Sequence, residues 1–212
     1  WNSLCRLSLE LLARNSEVLP SLTGIGITGQ MHTQVYLDAQ GKPLGNAITW
    51  MDQRCQPLVD ELNRHHRSEI FRHTANYLTT TYTAPHILWV KRSKPELYAQ
   101  TAKVLLAKDY LKYRLTGEMI TDFSDAAGTL LFSVADRKWS SDMFALFGIE
   151  QSLMPSVDKS AVVIGTVTQE AAQATGIPPG VPVINGCADH AATSLGAGVL
   201  SAGDASAIIG TA

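Results

Sequence analysis

The sequence predicts an α/β fold. Short apolar runs rich in Val and Ile alternate with segments of helical periodicity along most of the chain, and Gly, Pro and Asn fall between them. Hydrophobic residues make up 45% of the 212 residues and charged residues 17%, a balance that supports a packed core and argues against disorder.

The elements follow from local pattern. Trp1, Leu4, Leu7 and Leu11 recur at three- and four-residue spacing, with Cys5 and Leu12 beside them, and predict an amphipathic helix closed by Asn15 and Ser16. Residues 22–28 read as a buried strand, 34–38 as a second strand and 46–50 as a third, with Gly41 in the turn after the second. Helices are predicted over 57–65, opening on Pro57, and over 84–91, 95–101 and 108–115, the last closed by Thr116-Gly117. A strand over 130–134 precedes a helix over 140–147 that begins with Ser140. Strands over 162–167 and 181–185 bracket a helix over 169–175 ended by Gly176 and the tight link Pro178-Pro179-Gly180. An Ala- and Gly-rich helix over 191–200 and a strand over 205–209 complete the series, with no interior linker that would divide the chain.

Composition excludes several classes. Net charge is −2, from 17 Lys and Arg against 19 Asp and Glu, and the charges are scattered, so the electrostatic footprint of a nucleic-acid binder is missing. No apolar run approaches the roughly 18 residues that span a bilayer. Cys5, Cys55 and Cys187 are odd in number and irregular in spacing, which points to a reducing, cytoplasmic setting. Phosphate loops of the GxxxxGK[ST] or GxGxxG type are missing, since Gly24-Ile25-Gly26 lies inside a strand. The chain opens at Trp1 inside a helix and closes soon after an apolar run, so it reads as a segment of a longer protein.

Three segments carry candidate chemistry. Gly29-Gln30-Met31-His32 follows a predicted strand, and ligands of open α/β sheets sit beyond the carboxyl ends of strands. A strand–turn junction with a satisfied histidine is the alternative. Trp50-Met51-Asp52-Gln53-Arg54 offers a Trp face for a carbon skeleton and a nearby carboxylate. It reads equally as a core Trp with a surface ion pair of little energetic value. In Asn185-Gly186-Cys187-Ala188-Asp189-His190 a strand ends in small residues and delivers one carboxylate to the start of an Ala-rich helix. Asp189 there is either a general base or a helix cap.

Taken in order, these segments resemble the FGGY family of carbohydrate kinases, most closely its xylulokinase branch. GQMH at 29–32, WMDQRC at 50–55, TAPHILWV at 83–90, KDYLKYRLTGE at 108–118 with SDAAGTLLF at 124–132, NGCADHAATSLGAG at 185–198 and GDASAIIGTA at 203–212 are similar to family blocks. His86 stands where the family pattern has Lys, and Thr33 and His190 where it has Gly and Asn.

The resemblance implies an actin-like, ribonuclease-H-like fold, with this chain as most of the N-terminal, sugar-binding domain. The phosphate hairpin that opens the family's fold would precede Trp1, and the ATPase domain would follow Ala212. It implies transfer of phosphate from ATP, with Mg²⁺, to a sugar hydroxyl, and a role in xylose metabolism. Asp189 would be the catalytic base, Met31 and His32 the substrate-binding pair, Trp50 and Asp52 further pocket walls, and Gly210 and Thr211 neighbours of the ATP phosphates. The metal would be held largely by those phosphates, with no metal ligand assigned in this chain. Glycerol kinases of the family carry Arg-Glu where Met31-His32 stands, so a ketopentose such as D-xylulose is favoured, with other polyols, ketoses and sugar acids left open. The expected partners are thus a small sugar and ATP, without nucleic acid or membrane, and a homodimer is left open. A non-catalytic sugar-binding or regulatory module is the alternative of a different class.

Overall fold

The computed structural model describes residues 1–207. Gly210 and Thr211, the expected nucleotide-side residues, lie outside that range.

Helix α1 (Asn2–Arg14) ends at Asn15 and passes through a 3-10 turn, Ser16–Ser21, into β1 (Ile25–Gly29). β2 (Gln34–Leu37) follows. The third strand expected over 46–50 is not formed. Ile48 makes an isolated bridge with Gln34 and Pro43 another with Leu37, both on the edge of β2 away from β3 (Lys103–Leu106), which pairs with β2 in a continuous ladder. α2 (Gln56–Thr74) runs nine residues past the expected end at His65, with no Gly or Pro to stop it, and buries Val59, Leu62, Ile70 and Thr74. α3 (Thr83–Ser93) and α4 (Pro95–Gln100) lead into β3, and α5 (Ala107–Thr116) ends on Gly117 in the left-handed conformation that glycine adopts freely.

Short elements fill the next stretch: β4 (Ile120–Asp122), α6 (Phe123–Ala127), β5 (Phe132–Ser133), β6 (Lys138–Trp139) and α7 (Ser141–Phe147). Ser140 caps α7 through its side chain, accepting from the Met143 N–H. β7 (Ser156–Asp158), β8 (Val163–Thr166), α8 (Gln169–Thr175), β9 (Pro182–Ala188) and α9 (Asp189–Gly196) complete the described chain. Residues 205–207 form no strand, and the rest of that expected element lies outside the described residues.

Four small sheets result. The one that positions the site has the order β1-β9-β8, with β1 parallel and β8 antiparallel to β9. The register sets Gly29 opposite Ala188, so the segments leaving both strands emerge side by side. A register shift between Gly26 and Thr28 accompanies Gly186, which has φ +74°. Any Cβ there would collide with the Ile27 carbonyl oxygen. α5 packs against β1, β3, β8 and β9 and joins the sheets. One apolar core lies among α2, α3, α7 and the β5 region, and a smaller one joins Leu115, Val167, Ala171, Val181 and Val183. No helix among the described residues is long and apolar enough to cross a membrane.

Candidate active site

A pocket of about 770 Å³ opens where β1 and β9 end. Met31 and His32 reach it from the segment after β1, Asp189 and His190 from the start of α9, and Trp50 from the loop before α2. Four of the five expected sugar-side residues therefore share one cavity, although 158 positions separate Met31 from Asp189 in the chain. The adjacency of Gly29 and Ala188 is the physical reason, because parallel neighbours deliver their carboxyl ends to one edge.

Asp52 does not line the cavity. Its carboxylate is held by Arg54, with Nε 2.9 and 2.8 Å from the two oxygens and a guanidinium NH2 2.5 Å from Oδ2. Arg54 in turn lies over the Trp89 ring at 4.2 Å. The Asp52 carbonyl is pinned by His86. Gln34 Nε2 donates to His86 Nδ1 at 3.0 Å, so the other ring nitrogen carries the proton and donates to the Asp52 carbonyl, also at 3.0 Å. The ion pair hypothesis for this segment is thus the one the geometry realises for Asp52, while Trp50 reaches the pocket.

His32 is neutral. Burial lowers its pKa to about 4, outweighing the opposing hydrogen bond to Gly128 and the charge of Asp189. Nδ1 lies 2.7 Å from the Gly128 carbonyl, which can only accept, so Nδ1 bears the proton and Nε2 presents a lone pair. The ring packs edge-on to Tyr82 with centroids 4.9 Å apart. His32 has φ +66°, a left-handed conformation uncommon outside glycine, and such outliers gather at ligand sites. Gly128 makes room: a Cβ there would lie 2.6 Å from His32 Cε1 and 2.9 Å from Met31 Cε.

Asp189 sits in the first turn of α9, one residue past the N-cap Ala188, so it is not the cap itself. Its Oδ1 accepts the His190 N–H at 2.8 Å.

Much of the wall was not visible in the sequence motifs. Phe71, Asn76, Tyr77 and Tyr82 line the pocket from the end of α2 and the link to α3. Ala75, in the left-handed conformation, turns the chain there, and the Tyr82 hydroxyl donates to Asn76 Oδ1 at 3.1 Å. Phe71 and Tyr77 stack with centroids 4.6 Å apart. The long α2 could have signalled this, since the missing breaker after His65 carries the chain to the pocket rim.

A buried ionic cluster joins α5, β4 and α6. Lys108 Nζ is 2.8 Å from Asp109, 3.0 Å from Asp122 and 3.2 Å from Asp125, and all four side chains are fully buried. Lys112 Nζ reaches Asp109 at 2.9 Å and the carbonyl and side-chain oxygens of Asn185 at 2.8 and 2.5 Å. Burial opposes the charge on Lys108, but the three carboxylates overcome it and hold the ammonium well above its usual range. Burial pulls Lys112 down to about 8.

Asp125 accepts no hydrogen bond among the described residues, and burial, with Asp109 and Asp122 nearby, lifts its carboxyl to about 7 against the attraction of Lys108. The sign follows. The folded state binds this proton more tightly than the unfolded chain, whose carboxyl titrates near about 3.9. Stability from this group is therefore complete below about pH 4 and lost as pH rises through about 7. Asp125→Asn should remove that contribution. Chemical denaturation between pH 5 and 8 is expected to show a flatter profile for the variant, by roughly 1–3 kcal/mol, and parallel profiles would contradict it.

The comparisons with known proteins bear on this geometry. Residues 1–196 match the N-terminal domain of the FGGY family of carbohydrate kinases. The chain belongs to that family. Among curated relatives, the xylulose kinase of Bacillus subtilis is 37% identical over 95% of this chain, and that of Escherichia coli K12 is 40% identical over 91%. The chain spans 40% of the length of each. A solved xyloylose kinase from Brucella ovis superposes with a TM-score of 0.83 at 35% identity, over 91% of this chain and 40% of that one. The mixed α/β arrangement is thus that of the actin-like sugar kinases, as the FGGY resemblance of the sequence implied.

Proposed function

We propose that this chain forms the sugar-binding half of an ATP-dependent carbohydrate kinase, with a ketopentose such as D-xylulose as acceptor and Asp189 as general base. The observation that carries the proposal is the convergence of Met31, His32 and Asp189 on one pocket at the paired ends of β1 and β9, in a chain of the FGGY family whose relatives include xylulose kinases. A cytoplasmic setting fits the three free thiols.

A sugar hydroxyl is a weak nucleophile until its proton has somewhere to go. Asp189 accepts that proton as the oxygen bonds to the γ-phosphorus and the bond to the ADP oxygen breaks, leaving sugar phosphate and ADP. Neutral His32 orients the sugar by accepting a hydrogen bond from a sugar hydroxyl at Nε2. Met31 and the Trp50 ring offer apolar surface to the carbon skeleton. Asp189 is the one carboxylate among the lining residues, and no three His, Cys, Asp or Glu side chains among the described residues are grouped to hold a metal. The lining residues therefore do not fit a Mg²⁺ site of their own, and the chemistry assigned to this chain is proton acceptance and orientation of the acceptor.

The direct test is ADP release by the full-length parent with a panel of ketopentoses, polyols and sugar acids. D-xylulose is expected to give the highest kcat/KM, and sugar binding without turnover for every acceptor would identify a non-catalytic module. His32→Ala is expected to weaken sugar binding by roughly 1–3 kcal/mol, because it leaves a buried hydroxyl unpaired, with ATP affinity nearly unchanged by calorimetry. A loss confined to ATP would remove His32 from the acceptor site.

A further inference from the structure

The Asp189 carboxylate is not held in place by its own side-chain contacts, since its hydrogen bond among the described residues goes to the next backbone N–H. Its location is set one residue earlier. Ala188 is wholly buried, ends β9 and caps α9. The Ala188 N–H donates to Ser124 Oγ at 3.0 Å. The orientation of that hydroxyl is fixed, because Ser124 Oγ–H donates to Asp122 Oδ2 at 2.5 Å and so turns a lone pair toward Ala188.

Asp122 is anchored in its turn. Oδ2 also accepts the Ser124 N–H and the Ser160 hydroxyl, both at 2.9 Å, and Oδ1 lies 3.0 Å from Lys108 Nζ. Burial alone would raise the Asp122 carboxyl, but Lys108 and Ser124 outweigh it and keep it below its usual range, so it stays an acceptor.

We propose that Ser124 is a positioning residue for the catalytic base: it fastens the β9–α9 junction and thereby aims Asp189, backed by Asp122 and Lys108. The proposal rests on the reading of Asp189 as the base. Ser124 also lines the pocket, so a direct contact with the sugar is the competing role, and the two differ in what they do to kcat and KM.

The test uses the full-length parent with Ser124→Ala and Ser124→Thr. Loss of the hydroxyl should speed amide exchange in the peptide spanning residues 186–192 while the middle of β9 stays protected. The misaimed base should lower kcat by about 10- to 100-fold with the KM for sugar little changed. Threonine keeps the oxygen and should recover most of both losses. Unchanged exchange at 186–192, or a raised KM with kcat retained, would overturn the proposal. If Ser124→Ala does not fold, Ser124→Cys answers the same question, because a thiol is a weak acceptor of similar size. A parent without kinase activity on any acceptor would refute the assignment of Asp189, whereas the exchange measurement would still decide whether Ser124 holds the junction.

Discussion

Asp189→Asn in the full-length parent is expected to lower kcat by about 10² to 10⁴-fold and to leave the KM for sugar nearly unchanged. Asparagine keeps the shape of the side chain and can still accept the His190 N–H, but it cannot take the proton of the attacking hydroxyl. A loss in kcat matched by the loss in kcat/KM is the signature of an interaction made in the transition state alone. Stability should barely respond, within about 0.5 kcal/mol, because the carboxylate supports no buried contact among the described residues. Steady-state kinetics with D-xylulose across pH, beside thermal unfolding, provide the check. Near-normal turnover with the pH profile of the parent would remove Asp189 from the chemistry.

The elements that deliver this residue were legible because their signals are local. β1 and β9 are β-branched runs ended by small residues, and α5 and α8 close on Gly117 and Gly176, both with positive φ. Their convergence was legible too, since strand ends of an open α/β sheet meet at one edge. β3, β4, β7 and α6 were missed. Each has between three and five residues, too short for periodicity to register, and the three strands are defined by partners distant in sequence. The strand expected over 46–50 failed for the converse reason. Its pattern was adequate and the segment does lie along the free edge of β2, but it touches that edge only through the separate bridges Gln34–Ile48 and Leu37–Pro43 and forms no ladder.

Charge was the least legible property. Asp52 and Arg54 lie two apart, so an ion pair was one of the two readings the sequence offered for them, whereas nothing local sets Lys108, Asp109 and Lys112 apart from the rest of α5. Their burial depends on Asp122 and Asp125 arriving from β4 and α6, elements that carry little signal of their own. Sequence reasoning thus picked out Met31, His32, Trp50 and Asp189 on the pocket wall, and missed Phe71, Asn76, Tyr77 and Tyr82 beside them and the ionic cluster.

The largest stability effect should come from that hidden cluster. Lys108→Met preserves length and apolar stem but leaves Asp109, Asp122 and Asp125 with Lys112 as the remaining cation of the cluster. Breaking a buried ion pair from one side typically costs about 3–5 kcal/mol, since carboxylates without a counter-ion remain desolvated. For a domain of this size that lowers Tm by on the order of 10 °C. The deficit should shrink in acid. In the parent, Lys108 contributes to holding Asp122 below its usual range, so stability from this group is present above about pH 4 and lost as pH falls through its lower folded-state value. The variant lacks that contribution, and its carboxylates can take up protons on acidification, so the two unfolding curves should converge toward low pH. A double-mutant cycle sharpens the test. Adding Asp125→Asn to Lys108→Met loses the attraction between these two side chains once rather than twice, so above about pH 7 the double variant should be more stable than the sum of the two single effects predicts by about 1–3 kcal/mol. Strict additivity, with a Tm deficit that does not vary with pH, would mean that Lys108 contributes packing alone and that the three aspartates do not depend on its charge.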